Sequence, residues 1–323
     1  MRGQKVNARQ NTNRLAIALG GFLLAGSATA APITIVAPFT PGGAADTVAR
    51  AVGHAMGLIL NETVVVENRT GGSGIVGAGV VARSAPDGNT LLLTVDGIFA
   101  NPALDNPESQ AIINSLVPVA NVAEAPLALA ASNASGITSV DTLLKQARQR
   151  QHPLTYGTPG VGSAHHLAGV EFARHAGITM TDVPYRGTAA GAAGLASGEI
   201  DLLYGVLASI QPVIDSGRAK LLAVTSTGRF ELAPDVMALG ELYPGFNMMT
   251  LYGLMAPEGT PPEVLERLAR TVEQALQTPA LQSQLKAAGL VPAFQGPVAF
   301  GEALDKLVVE RTAIIRNAGI TVN

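Results

Sequence analysis

The sequence predicts an α/β fold of two lobes, each built on a mainly parallel sheet flanked by helices. β-branched runs typical of strands alternate along the chain with apolar residues at helical spacing, a succession characteristic of βαβ units. A strand, a glycine turn and a helix follow one another once in each half of the chain. With 323 residues and 47% hydrophobic composition, the chain is also long enough to bury two cores.

The first 30 residues have the features of a secretory signal peptide. Residues 1–14 carry basic but no acidic side chains, and the apolar run 15–28 is too short to span a bilayer comfortably. Ala28-Thr29-Ala30 matches a small-x-small cleavage site. The chain has no Cys, and therefore no disulfide and no site for lipid attachment. We expect cleavage after Ala30 and a periplasmic mature protein that does not insert into the membrane.

The first lobe is predicted to combine residues 31–127 with residues 248–323. The turn Pro86-Asp87-Gly88 marks the start of one of its strands, and Pro261-Pro262 opens one of its helices. Its strands are predicted at 33–38, 63–66, 89–95 and 248–256, and its helices at 46–60, 77–83, 262–277 and 298–318.

The second lobe is predicted to span residues 128–247. Its first helix has Ser139 or Thr138 as the capping residue and Asp141 in its first turn. Its strands are predicted at 154–158, 181–185, 200–204 and 221–225, and its helices at 138–149, 164–175, 191–197 and 210–216.

The first glycine turn, Pro41-Gly42-Gly43, joins the strand 33–38 to a helix and predicts an anion site. Backbone N–H groups at a helix N-terminus carry partial positive charge and bind anions without a basic side chain. We expect Gly42, Gly43 and Ala44 to offer N–H groups to a carboxylate. Phe39 either walls this pocket or joins the core, and Asp46 either stabilises the turn or touches the ligand.

The second glycine turn, 157–163, leads into the helix 164–175 in the same way. The hydroxyls of Thr158 and Ser163 are placed either to cap that helix or to donate to a ligand. His165 and His166 are adjacent, so they point to different helix faces, and no acid follows at the spacing of a helical metal site. Two facing helix N-termini would hold a small anion from both sides.

Several motifs, which follow one another along the chain, resemble the motifs of one protein family. They include Pro38-Phe-Thr-Pro-Gly-Gly-Ala-Ala-Asp46, Val64-Val-Val-Glu-Asn-Arg69, His166-Leu-Ala-Gly169, Val183-Pro-Tyr-Arg-Gly187 and Ala256-Pro-Glu-Gly-Thr-Pro261. The chain is similar over nearly its whole length to the Bug family, the periplasmic substrate-binding receptors of tripartite tricarboxylate transporters.

The resemblance implies a fold and a function. The fold is the two-lobed, type 2-like periplasmic binding protein, or Venus flytrap, whose chain crosses between the lobes twice. The function is capture of a small carboxylate in the cleft by hinge closure, and delivery to membrane subunits of the transporter or to a sensor protein. The resemblance implies a monomer with no cofactor and no metal.

The candidate ligand-binding residues come from the glycine turns and from the ends of strands that face the predicted cleft, where ligands of α/β sheets collect. Arg186 either contacts the ligand or is an exposed arginine on the rim. The candidates are Phe39, Pro41, Gly42, Gly43, Ala44, Asp46, Thr94, Asp96, Thr158, Gly162, Ser163, His166, Tyr185, Arg186, Gly187, Tyr204 and Gly205.

Asp96 departs from the family pattern, because many relatives carry small neutral residues where the strand 89–95 ends. An acid on the cleft wall repels a carboxylate unless it is neutral, paired or solvated. Asp96 therefore either receives the ammonium group of an amino-acid-like ligand or is a solvated turn residue.

The alternative class is an NAD-dependent oxidoreductase. Gly72-Ser-Gly74-Ile-Val-Gly77 fits the dinucleotide fingerprint, and Asp96 lies at a later strand end. Against this class, residues 67–71 separate the preceding strand from the first glycine, and export removes the chain from the cytoplasmic nicotinamide pool. No G-x-S-x-G or H-E-x-x-H motif indicates a hydrolase. The chain has no basic stripe and only 4% aromatic residues, which argues against a nucleic-acid partner.

Overall fold

The computed structural model describes residues 31–99 and 106–320. These residues contain two sheets covered by helices. The first sheet has the order β11-β4-β10-β3-β1-β2. Its strands are β1 (Ile33–Ala37), β2 (Val64–Asn68), β3 (Thr90–Val95), β4 (Leu116–Pro126), β10 (Met249–Pro257) and β11 (Val291–Gln295).

The second sheet has the order β7-β6-β8-β5-β9. The five strands of this sheet follow one another along the chain, whereas those of the first sheet come from both ends of the described chain. They are β5 (Ala128–Ser132), β6 (Leu154–Thr158), β7 (Met180–Pro184), β8 (Leu202–Gly205) and β9 (Ala219–Val224).

The helices begin where the sequence supplies caps or prolines. Ser139 caps α4 and forms a capping box with Thr142, which decides between the two predicted caps. Pro262 opens α9. The helices are α1 (Ala44–Leu60), α2 (Ile75–Ala82), α3 (Pro107–Asn114), α4 (Val140–Gln149), α5 (Ala164–Ala176), α6 (Thr188–Ser197), α7 (Leu207–Asp215), α8 (Leu239–Leu242), α9 (Pro262–Leu276), α10 (Pro279–Ala287) and α11 (Pro297–Asn317).

The α/β class is confirmed, but both sheets are mixed rather than mainly parallel. β1 pairs in parallel with β2 and β3, and β6 pairs in parallel with β7 and β8. The strands β10, β4 and β11 pair antiparallel, as do β5, β8 and β9. Every antiparallel pair contains β4, β5, β9 or β10, the four strands next to the points where the chain passes from one sheet to the other.

The parallel strands place the candidate residues at common edges. The carboxyl ends of β1, β2 and β3 lie at one edge of the first sheet, and those of β6, β7 and β8 at one edge of the second. Both glycine turns start from such ends. The predicted signal peptide and its cleavage site lie outside the described residues, and no helix within them has the length and apolar character needed to cross a membrane.

The chain passes between the sheets twice, and one buried side chain joins the two crossings. Leu127 connects β4 to β5, and the segment 225–248 connects β9 to β10. The Thr225 hydroxyl accepts from the Leu127 N–H (N···Oγ1 2.8 Å) and donates to the Met248 carbonyl (Oγ1···O 2.7 Å). Backbone bonds run from the Thr225 N–H to the Leu127 carbonyl and from the Met248 N–H to the Thr225 carbonyl.

We predict that Thr225→Val destabilises the protein by about 1–3 kcal/mol. Valine keeps the volume but leaves a buried N–H and a buried carbonyl without their partner, and such groups carry the full cost of desolvation. Urea unfolding measures the change. Thr227→Val is the matched control, because the Thr227 side chain is exposed, and it should change the free energy of unfolding by less than about 0.5 kcal/mol. Equal stabilities of the two variants would contradict the role given to Thr225.

Candidate functional site

The first glycine turn is held by a side chain from the helix that it starts. Gly42 has a φ of 84°, in the left-handed region, and Gly43 is the extended N-cap of α1 with a φ of −77°. The Gly42 N–H donates to the carboxylate of Asp46 (N···Oδ2 3.0 Å). Asp46 is only 4% exposed.

Asp46 ties this turn to β2 as well. Its Oδ1 accepts from the Asn68 amide (2.9 Å) and pairs with the Arg50 guanidinium (2.9 Å), while its Oδ2 accepts from Arg50 Nε (3.1 Å). Asn68 also donates to the Phe39 carbonyl (Nδ2···O 3.0 Å). Asp46 therefore stabilises the turn, and its contact with a ligand stays a prediction.

The ionisation of Asp46 follows from these contacts. Burial raises the pKa of its carboxyl group, but the hydrogen bonds from Arg50, Gly42 and Asn68 together outweigh burial and hold that pKa below its usual value. The carboxylate is therefore charged at neutral pH, in the first turn of α1, where a negative charge complements the helix dipole.

The second glycine turn repeats the arrangement of the first. Gly162 has a φ of 79°, and Ser163 is the extended N-cap of α5. The Gly162 N–H donates to Nδ1 of His166 (3.2 Å). The Ser163 hydroxyl donates to the Gly160 carbonyl (2.7 Å) and accepts from the His166 N–H (3.2 Å). Buried Thr158 accepts from the Gly160 N–H (3.2 Å).

These internal bonds correct the predicted roles of the turn residues. The N–H groups of Gly42 and Gly162 are taken by Asp46 and His166, so neither glycine offers a donor to a ligand. The Ser163 hydroxyl both donates and accepts within the second turn, whereas the Thr158 hydroxyl accepts there and keeps its own hydrogen as a donor. The sequence placed both turns correctly but could not show that local side chains occupy the N–H groups of Gly42 and Gly162.

The first helical residues of α1 and α5 provide the remaining donors. The first N–H groups of a helix have no acceptor within it. In the first turn these belong to Ala44 and Ala45, and in the second to Ala164 and His165. Their partial positive charge is aimed out of the helix, so both turns are suited to a carboxylate.

Two of the predicted contact residues are buried, and a third is half-buried. Tyr204 is fully buried, and its ring is edge-on to Tyr156, with centroids 6.0 Å apart. Thr94 is 1% exposed. Half-buried Tyr185 packs against α6, where a Cβ on Gly191 would lie 3.7 Å from its ring and one on Gly194 would collide with its hydroxyl. Ligand contact through these three side chains stays a prediction.

The other predicted residues lie near the strand ends and differ in how far they are exposed. Arg186 and Pro41 are exposed, and Phe39 is half-buried near Gly74. Gly187, with a φ of 92°, is the N-cap of α6. Gly205 leaves room for the side chains of Thr188 and Ile210. Asp96 begins the short turn Asp96–Ile98, and its side chain lies outside the described part of the structure, so its two alternatives stay open.

His165 follows the second glycine turn and is a further candidate for the site. It is half-buried, and its Nε2 lies 3.4 Å from the hydroxyl of Thr188, the first residue of α6. Burial lowers the pKa of His165 to about 4, so the imidazole is neutral at pH 7. The one signal available in the sequence was its departure from the small polar residue usual at this position in the resembled family.

A cavity of about 670 Å³ lies beside the first turn. The second turn is linked to α6 instead, because His165 contacts Thr188, which also packs against Gly205 just before α7. The lining residues of the cavity come from α1 and its turn (Gly42, Ala44, Asp46, Thr47, Arg50, Ala51, His54), from α7 (Ala208, Ser209) and from the end of α10 (Gln284, Ala287, Ala288).

Comparisons with known proteins show the family and the fold of the chain. Residues 48–319 match the model of the tripartite tricarboxylate transporter family receptor. The chain belongs to this receptor family. The periplasmic binding protein BugD is 30% identical, with a TM-score of 0.79 over 90% of this chain and 98% of BugD. The two-lobed periplasmic binding protein fold and the resemblance to the Bug family are thus confirmed.

Two further relatives of this receptor family have solved structures with ligands. Rpa4515 of R. palustris, solved with adipate, is 29% identical with a TM-score of 0.82, covering 90% of this chain and 98% of Rpa4515. MatC of Rhodopseudomonas palustris, solved with bound malate, is 26% identical with a TM-score of 0.76, covering 88% of this chain and 98% of MatC.

In this receptor chain the glycines of the dinucleotide fingerprint have a packing role. A Cβ on Gly77 would lie 2.7 Å from the Cβ of Pro38 and 2.9 Å from the Arg69 carbonyl oxygen, and one on Gly74 would lie 2.8 Å from Ile98. These residues let α2 approach the end of β1 closely. Among the described residues no cluster of three or more potential metal ligands occurs.

We predict that Gly42→Ala destabilises the receptor by roughly 1–2 kcal/mol, whereas Gly43→Ala does not. Only Gly42 has a left-handed φ, which costs an L-residue about that amount. A Cβ on Gly43 would lie 3.5 Å from the Thr40 carbonyl oxygen, an ordinary contact. Thermal unfolding compares the two variants. A larger loss of stability in Gly43→Ala than in Gly42→Ala would contradict the geometry of the turn.

Proposed function

We propose that this receptor binds a small carboxylate between the lobes 31–127 plus 248–323 and 128–247, and closes over it by a hinge motion. The observation that carries the proposal is the pair of matching turns, each of which leaves the first N–H groups of a helix without a protein acceptor. The proposal includes export, cleavage after Ala30 and delivery of the ligand to the membrane subunits of a tripartite tricarboxylate-type transporter or to a sensor protein.

The charges around the turns favour recognition through the backbone. Arg50, the cation nearest the first turn, is paired with Asp46 and bonded to Asn68, so its charge is already balanced. The N–H groups of Ala44 and Ala45, and of Ala164 and His165, are fixed by their helices. Such donors form charge-assisted hydrogen bonds with a carboxylate.

The ligands of two relatives support a carboxylate with a second acidic group. Adipate and malate, named in the structures of Rpa4515 and MatC, are both dicarboxylates. We infer that the half-buried, neutral imidazole of His165 meets the distal end of such a ligand, with Thr188 beside it. Binding of an enzyme cofactor has no comparable support, since the family that this chain belongs to is one of receptors.

We predict that Ala44→Pro weakens ligand binding by about 10- to 100-fold. Proline is favoured at the first helical position, and the preceding Gly43 already has the extended conformation that proline requires. The substitution therefore removes one N–H donor and preserves the helix, and a charge-assisted hydrogen bond contributes roughly 1.5–3 kcal/mol. Calorimetric titration measures the affinity, and circular dichroism checks the fold.

Ala44→Ser is the matched control for this variant, because it keeps the N–H group and adds only one oxygen atom. Its affinity should stay within about threefold of that of the unmodified protein. If Ala44→Pro binds as tightly as Ala44→Ser, the N-terminus of α1 is not part of the site.

We also predict that the freshly purified protein carries, or takes up, a small carboxylate. Native mass spectrometry identifies a retained ligand, and thermal shifts with malate, adipate and aspartate compare dicarboxylates with an amino acid. A shift with aspartate that is lost in Asp96→Asn, while malate still binds, would assign Asp96 to an ammonium group. The absence of any shift across a broad carboxylate library, together with turnover of NAD, would overturn the proposed function.

A further inference from the structure

The second turn is closed by a histidine where the first is closed by a carboxylate. Asp46 and His166 occupy the same position, the third residue of α1 and of α5, and each accepts the N–H of the left-handed glycine four residues earlier. A carboxylate accepts hydrogen bonds over most of the pH range, but an imidazole nitrogen accepts only while it is unprotonated.

We propose that His166 is the positioning residue of the second turn, and that its protonation opens this turn and releases the ligand. This inference rests on the proposed function for its effect on binding, but the opening of the turn itself does not depend on any ligand.

The surroundings of His166 define its protonation state in the closed turn. Its side chain is 5% exposed, and its ring is stacked on Tyr156, with centroids 6.4 Å apart and an angle of 9° between the planes. The Tyr156 hydroxyl donates to the His166 carbonyl (3.4 Å). Since Nδ1 accepts the Gly162 N–H, the imidazole is neutral and its proton lies on Nε2.

A proton on Nδ1 would place two donors against each other. The Gly162 N–H would then face an N–H across the present 3.2 Å separation, and the bond that closes the turn would be lost. A cation in the first turn of α5 is also opposed by the helix dipole. Protonation and the closed turn therefore exclude each other.

Burial and a neighbouring carboxylate have opposite effects on the pKa of His166. Burial lowers the pKa of His166, and Asp182 on β7 raises it, with a net shift below the usual value. Tyr156 on β6 and the buried Tyr204 on β8 have raised pKa values and remain neutral, as does His165, whose pKa burial lowers to about 4. The proton should thus reach His166 below about pH 6.5, the usual pKa of histidine.

The lowered pKa of His166 also determines how the stability of the protein depends on pH. The unfolded chain takes up the proton near pH 6.5, whereas the closed turn resists it until a lower pH. The contribution of the neutral His166 is therefore complete above about pH 6.5 and is lost as the pH falls from there towards the lowered pKa. The first turn is unaffected in this window, because Asp46 stays charged.

The test is an NMR titration of the ligand-free protein between pH 7.5 and 4.5, with His166→Asn as the comparison. The asparagine carboxamide oxygen is an acceptor that does not titrate in this range. In the unmodified protein the Gly162 amide resonance and the His166 ring nitrogens should shift together, while the Gly42 amide stays constant. In His166→Asn the Gly162 amide should stay constant as well.

A binding measurement with adipate as the probe adds a second readout. Between pH 7.5 and 4.5 the affinity should fall in the unmodified protein, and this fall should be at least three times larger than the fall in His166→Asn. If adipate binds at neither pH, the choice of ligand is wrong and the NMR titration alone decides. A Gly162 amide that does not move while the His166 ring titrates, or that moves equally in His166→Asn, overturns the inference.

Discussion

The candidate site depends on one hydrogen bond that occurs twice, from a left-handed glycine to the side chain of the third residue of the following helix. This bond sets the angle at which each helix leaves its strand, and hence where the first helical N–H groups point. In the first turn the acceptor is Asp46, and in the second it is His166. The glycines are required for the shape of the turn, while the donors belong to the first two residues of each following helix.

The electrostatics of the site follow from this arrangement. The buried carboxylate of Asp46 is balanced by Arg50 and by amide donors, and the two histidines of the second turn are neutral at pH 7. A carboxylate bound as proposed would therefore meet fixed backbone dipoles rather than a net charge. Recognition of this kind would leave little trace in the side chains, so the same two turns would suit acids of different lengths.

The sequence predicted those parts of the fold in which local signals and tertiary structure agree. The strand 154–158 was predicted with the bounds that it has in the structure, because turn residues delimit it on both sides. β4 was missed because Pro118 and Asn121 interrupt its apolar run, and β11 because it contains Pro292. In the site, the positions of both turns were predictable. The orientation of Tyr185 and Tyr204, and the capture of the glycine N–H groups, depend on contacts that no spacing pattern reveals.

The Thr225 hydroxyl has a mechanical consequence. Because it is bonded to both connections between the sheets, it opposes sliding of one connection past the other, and it would be the pivot of the proposed hinge rotation. In such a lever the displacement of an atom grows with its distance from the pivot. A few degrees of rotation therefore move the distant edges much farther than the segments near the pivot, and the length of a bound molecule would set the angle at which the rotation stops.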